Sequence, residues 1–199
     1  GSPGETPSHP ELLDYLALRL VDIGWSVKSR IREIMLSRTY RLACDPLAAS
    51  SAGDPENRLL TQQNRRRLEA EALYDSILSL SGVLDLTAGG DTVRPDTKSE
   101  YGYQFDVARR AVYLPVFRNQ LPDLFAVFDF PDPNLSQGRR TTSTLSTQAL
   151  FLMNSPFAAG QARRAAERLL AEEPDSQRRI DLLYERALGR LPDETERRL

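Results

Sequence analysis

SPFAAGQARRAAERLLAEEPDSQRRIDLLYERALG, residues 155–189, decides the fold class of this chain. Ser155 stands where a helix cap belongs, and Pro156 takes the first helical position, where its missing amide proton costs nothing. Ala158, Ala162, Ala165 and Leu169 recur at helical spacing and are expected to face inward. A further helix carries Ile180, Leu183, Tyr184, Ala187 and Leu188 on one side and stops at Gly189. Two successive helices with matched start and stop signals point to a mainly α fold.

The segments ahead of this pair extend the pattern. Residues from about Thr147 to Asn154 read as a helix running up to Ser155. Pro122 opens a brief helix with Leu124, Phe125 and Phe128, which the Pro131-Asp132-Pro133-Asn134 turn breaks. Ala111–Phe117 alternates well enough for one short extended segment, and Pro115 confines it to an edge. Residues 85–106 hold Gly89-Gly90, Pro95 and scattered charges, and read as a flexible loop. A helix is expected from about Arg65 to Leu80, with Leu73, Ile77, Leu80 and then Leu84 along one side. Within it Arg65 with Glu69, and Arg67 with Glu71, stand at i and i+4. Asp54-Pro55-Glu56 reads as a helix start, after a loop over residues 42–53.

At the beginning of the chain, Ser8 and Glu11 have capping-box spacing. Leu13, Leu16, Ala17 and Leu20 follow in helical register up to Gly24. Ser26 then caps a helix whose stripe is Val27, Ile31, Ile34 and Met35, with Trp25 expected to pin the corner of an αα-hairpin. The expected architecture is one helical domain over residues 1–199, built from αα-hairpins with a short extended segment at 111–117. The chain opens on Gly1-Ser2-Pro3-Gly4 and closes in what reads as a new helix at Pro192–Glu196, so it is expected to be a fragment of a larger multidomain protein.

Composition removes several chemistries. A net charge of −2, from 26 basic and 28 acidic residues, provides no footprint for nucleic acid. Arginine doublets such as Arg109-Arg110 and Arg163-Arg164 lie among carboxylates and read as an ion-paired surface. Cys44 is the single cysteine and His9 the single histidine, so an intrachain disulfide, a Cys/His zinc cage and a haem attachment motif are excluded. His9, beside Pro10, reads as a helix-start residue, and Cys44 as a small, partly buried one. No apolar run approaches the ~20 residues that span a bilayer, so membrane insertion is not expected.

Three clusters can carry chemistry. Asp129, Asp132 and Asn134, followed by Arg139 and Arg140, can hold a hard cation through oxygen ligands. Alternatively they form an acid/base pair tuned by the arginines, or Asp129 simply braces the proline-rich turn. Tyr113, Arg118 and Asn119 can clamp a carboxylate, a sulfate or sugar hydroxyls, or pack as structure. Glu69 and Glu71, two apart on a helix, point to different faces and make a poor dyad.

The stretches HPELLDYLA from His9, GWSVK from Gly24, SRTYR from Ser37, DPENRLL from Asp54 and NRRRLEAEAL from Asn64 occur in order along the chain. RRAVYLPVFRNQLP from Arg109, FDFPDP from Phe128, QALFLMNSPF from Gln148 and YERALGRLP from Tyr184 complete the series. Together they resemble the C-terminal domain of unknown function, number fifteen fifty-three, of planctomycete cytochrome-c-associated proteins. The resemblance implies an exported, multidomain parent acting in the periplasm or cell envelope. Haem is expected only in a separate domain of that parent, and no cofactor in this chain. The family contributes no catalytic residues to carry over. The expected role is a non-catalytic structural or interaction module whose partners are the parent's other domains; a further reading is a docking surface for the parent's own cytochrome domain. The rival is a carboxylate- or metal-assisted hydrolase or binding domain acting on polysaccharide, centred on Asp129, Asp132, Arg139 and Arg118.

Overall fold

Gly24 turns the first helix back. It adopts φ 67°, the left-handed region that a residue without Cβ enters freely, and Trp25 follows at φ 61°. The computed structural model describes residues 7–44, 54–138 and 140–198. They are mainly helical and fall into two compact units, residues 1–66 and 67–199.

In the first unit, α1 (Pro10–Asp22) and α2 (Val27–Leu36) form the hairpin. Ser26 caps α2 by accepting from the Ser29 amide at 3.3 Å. The start of α1 differs from expectation: Ser8 Oγ contacts His9 Nδ1 at 2.9 Å, and His9 occupies the cap without a side-chain bond. Trp25 does not pin the corner. It is 69% exposed, because its left-handed backbone aims the indole outward while its amide closes the turn on Leu20 O at 2.9 Å. The tie between the helices is polar. Arg30 of α2, buried, donates to the Leu16 carbonyl of α1 at 2.7 Å and pairs with Glu33 at 2.9 Å.

Asp54-Pro55-Glu56 begins a turn and not a helix. Asp54 does accept two amides, from Arg58 at 2.9 Å and Leu59 at 2.7 Å, but Asn57 and Leu60 take φ 51° and 53°, which end any helical path. Asn57 is buried and holds the turn through its amide, donating to Gln62 O at 2.7 Å and Asn64 Oδ1 at 3.0 Å. Most of the expected 42–53 loop lies outside the described residues.

In the second unit, α3 runs Ala70–Ser81, so Arg65–Glu69 is extended where a helix was expected. The Arg67–Glu71 pair therefore does not form: Arg67 reaches Gln148, and Glu71 reaches Arg140. Gly82 ends α3 at φ 77°, and a Cβ there would meet the Arg168 side chain at 3.0 Å. Ala111–Tyr113 forms a 3-10 turn and not a strand, because Asp75 Oδ1 takes the Ala111 amide at 2.6 Å and curls the backbone. The β-bridge lies just upstream, pairing Asp85 with Arg109. Residues 85–106 contain no regular element. Arg109 anchors their first part by donating to the carbonyls of Thr87, Gly89 and Asp91.

The remaining helices are α4 (Asp123–Val127), α5 (Ser146–Asn154), α6 (Pro156–Glu172), α7 (Ser176–Leu188) and α8 (Glu194–Arg198). Ser155 caps α6 through the Ala158 amide at 3.0 Å, and Gly189 stops α7 at φ 68°. Ala165 and Leu169 are buried as expected, whereas Ala162 lies on the outer side of α6. The core gathers Tyr74, Leu78, Leu114, Leu124 and Phe125. Tyr74 stacks on Phe157 at 5.5 Å, and Phe125 stacks on Phe130 at 4.8 Å. Such ring pairs add roughly 0.5–1.5 kcal/mol beyond the area they bury.

Candidate functional site

Asp129 sits one residue beyond the C-cap of α4 with φ 57°, a left-handed backbone that a branched carboxylate side chain adopts at a cost. Its carboxylate offsets that cost with hydrogen bonds. The Ser143 amide donates to Oδ2 at 2.7 Å, and the Ser143 hydroxyl donates to Oδ1 at 2.7 Å. These bonds, the amide first, hold the carboxyl below the usual carboxylate range, with help from Gln148 and the nearby Arg67 charge.

Gln148, on the first turn of α5, is 3% exposed and joins the network in several directions. Its Nε2 donates to Val127 O at 3.2 Å and to Ser143 Oγ at 3.3 Å. Its Oε1 accepts from the Leu145 amide at 3.4 Å and from Arg67. Arg67 also donates to Ser143 O, joining the extended approach to α3 to the turn beyond α4. Beside this network Arg140 places a two-pronged grip on Glu71, both contacts at 2.7 Å, with Glu69 at 3.2 Å. The Arg140 hydrogen bond pulls the Glu71 carboxyl down. A cleft of about 250 Å³ opens here, lined by Arg67, Leu73, Phe128, Asp129, Arg140 and Gln148 among others.

The other candidates do not converge on this cleft. Asp132 caps its own turn, accepting from the Asn134 amide at 2.8 Å, and Asn134 ties back to Arg118 O at 3.2 Å. Asn119 donates to Glu100. Tyr113 accepts from the Gly89 amide at 2.9 Å and lies under the Arg109 guanidinium, 4.2 Å from the ring centre. Arg139 lies outside the described residues. So Asp129 and Arg140 share one cleft, while Asp132, Arg118, Asn119 and Tyr113 serve other loops. Among the described residues no group of three or more His, Cys, Asp or Glu side chains could hold a metal ion.

A carboxylate held low is a weak base and no proton donor near neutral pH, so Asp129 suits charge pairing and hydrogen-bond acceptance better than acid catalysis. Two residues of this cleft, Arg67 and Gln148, were missed as partners, as was Glu71 behind Arg140. Gln148 had a readable signal: a glutamine in the third helical position is the half of a capping box that reaches back to the cap amide.

The sequence matches, over residues 1–199, the family described as PSD1, protein of unknown function (DUF1553). The chain belongs to the DUF1553 family. Among curated proteins and among solved structures, nothing matches it. In this DUF1553 chain no described helix is long and apolar enough to cross a membrane.

Proposed function

We propose that the chain is a non-catalytic structural and interaction module of a larger exported, cytochrome-c-associated protein. It docks on neighbouring domains of that parent through the α1–α2 hairpin. The observation that carries this reading is the hairpin's surface: α1 buries no residue, and α2 buries only Arg30. Leu18, Val27 and Leu36 are each more than 60% exposed, and Leu13, Val21 and Ile31 at least half exposed. Large apolar side chains exposed in this number on one hairpin favour an interaction surface. Arg19 and Glu33 lie among these residues and supply charge beside them. Haem belongs to a separate domain of the parent, which works in the periplasm or cell envelope; the support for this is the family resemblance.

The test is calorimetric titration of the chain against the parent's cytochrome-c-like domain and its other domain. A Leu18→Glu/Ile31→Glu variant that melts like the wild type should lose at least about tenfold in affinity. Unchanged affinity in that variant, or no binding to either domain, overturns the docking reading.

The alternative, a hydrolase or binding domain for polysaccharide, is favoured by one observation, the cleft beside Asp129. It requires Asp129→Asn to abolish sugar-polymer hydrolysis or binding while the chain remains folded.

A further inference from the structure

A second cavity in the 67–199 unit, of about 390 Å³, lies between the 103–106 segment, the start of α4 and the α5–α6 junction. Its apolar lining is aromatic. Phe105 packs against Tyr103 at 5.1 Å and Phe157 against Tyr74 at 5.5 Å, and Phe151 completes the set. The polar lining is one-sided. The Gln104 and Gln120 amide nitrogens are engaged by the carbonyls of Gly102 at 3.2 Å and Tyr103 at 3.0 Å, and among the described residues no group donates to either Oε1. The Tyr74 hydroxyl is spent on Val107 O at 2.8 Å. Asp106 pairs with Arg94, but Asp123 makes no hydrogen bond or ion pair among the described residues. No lysine or arginine lines the cavity.

Aromatic faces carry negative potential, and unpartnered carboxylate and amide oxygens are acceptors. A ligand that fits both is a donor with positive charge. We propose that this cavity is a binding site for an organic cation, an alkylammonium or guanidinium group, with Asp123 as counter-charge and the Phe105 and Phe157 rings as walls. The cavity volume falls within the range of small-ligand sites, which run from ~300 to 1,000 Å³. This site is separate from the α1–α2 surface and stands or falls without it.

The experiment titrates the full chain with n-butylammonium, guanidinium, n-butanol and glucose, following the side-chain amide signals of Gln104 and Gln120 by NMR. The expected result is saturable shifts with both cations, at least about tenfold tighter than with butanol. Binding should weaken as salt screens the charge. Asp123→Asn, at an exposed position and checked by its melting curve, should weaken cation binding about fivefold or more. An acetyl-lysine amide that binds as tightly as butylammonium places the cation on a peptide side chain, and weaker binding places it on a free amine; both support the site. Equal affinity for butanol and butylammonium, preference for glucose, an unaffected Asp123→Asn variant, or no saturable shift with any probe overturns the proposal.

Discussion

The two units of this chain are built on opposite principles. Among the described residues of 1–66, the buried side chains are Arg30 and Asn57, both polar and both tied to backbone carbonyls. Residues 67–199 bury Tyr74, Leu78, Leu114, Leu124 and Phe125 in an apolar cluster, with rings stacked around it. Hydrogen bonds fix geometry but contribute only ~0.5–1.5 kcal/mol each, whereas a buried large apolar side chain contributes about 1.5–3 kcal/mol. The second unit therefore holds the stability of its fold in its interior. The first displays its apolar side chains on the surface, where a partner could cover them.

The comparison breaks most readily at Phe125. Phe125→Ala should cost about 3–5 kcal/mol in denaturant unfolding, since the ring is 1% exposed and its site cannot collapse freely. If Leu18→Ala in α1 cost as much, the contrast between the units would be wrong.

A second break is alkaline. Burial pushes the Tyr74 hydroxyl up to about 12. An unfolded tyrosine ionises near pH 10, so the stability tied to this group is complete below that point. It is lost as pH rises toward the folded value, because only the unfolded chain releases the proton easily. Unfolding followed from pH 9 to 12 should show that decline in the wild type and a flatter profile in Tyr74→Phe. On the acid side the signs reverse. Asp129 and Glu71 are depressed when folded, so their contribution is present above the ordinary carboxylate range and disappears as pH falls through their lowered values.

The polar networks come third. Gln148→Ala strips partners from Arg67, Ser143 and the Val127 carbonyl, and Asn57→Ala does the same to the Gln62 carbonyl. Each should cost about 1–3 kcal/mol, and chemical denaturation of the two variants sharpens the comparison between an apolar and a polar interior. The smallest effect is expected on the hairpin surface. Leu18→Ala and Val27→Ala should change stability by within about 0.5 kcal/mol, because both side chains already face solvent.

Helix termini were readable where one residue type has one job. Ser155 caps α6, Ser26 caps α2, and Gly24 and Gly189 adopt the left-handed backbone that ends a helix. Readings that needed a partner far along the chain failed. Arg67 and Glu71, four apart, read as a helical ion pair, yet Arg67 bonds Gln148, 81 residues away. Asp129 and Asp132 look like one cluster in the sequence. In the fold Asp129 turns to Ser143, while Asp132 stays with Asn134.

The sequence by itself determined the mainly α character, the family, most helix boundaries and the exclusion of cysteine and histidine chemistry, because caps, stops and composition act within a few residues. Tertiary structure alone decided which apolar stripes were buried. The buried face of α3 is Ala70, Tyr74 and Leu78, one residue round from the expected Leu73, Ile77 and Leu80. Tyr74 meets aromatic rings from α4 and α6, whereas α1 buries nothing and α2 only Arg30. Amphipathic spacing records that a helix has an apolar face. Burial depends on a second surface arriving to cover it, and that is settled by contacts between residues distant in the chain.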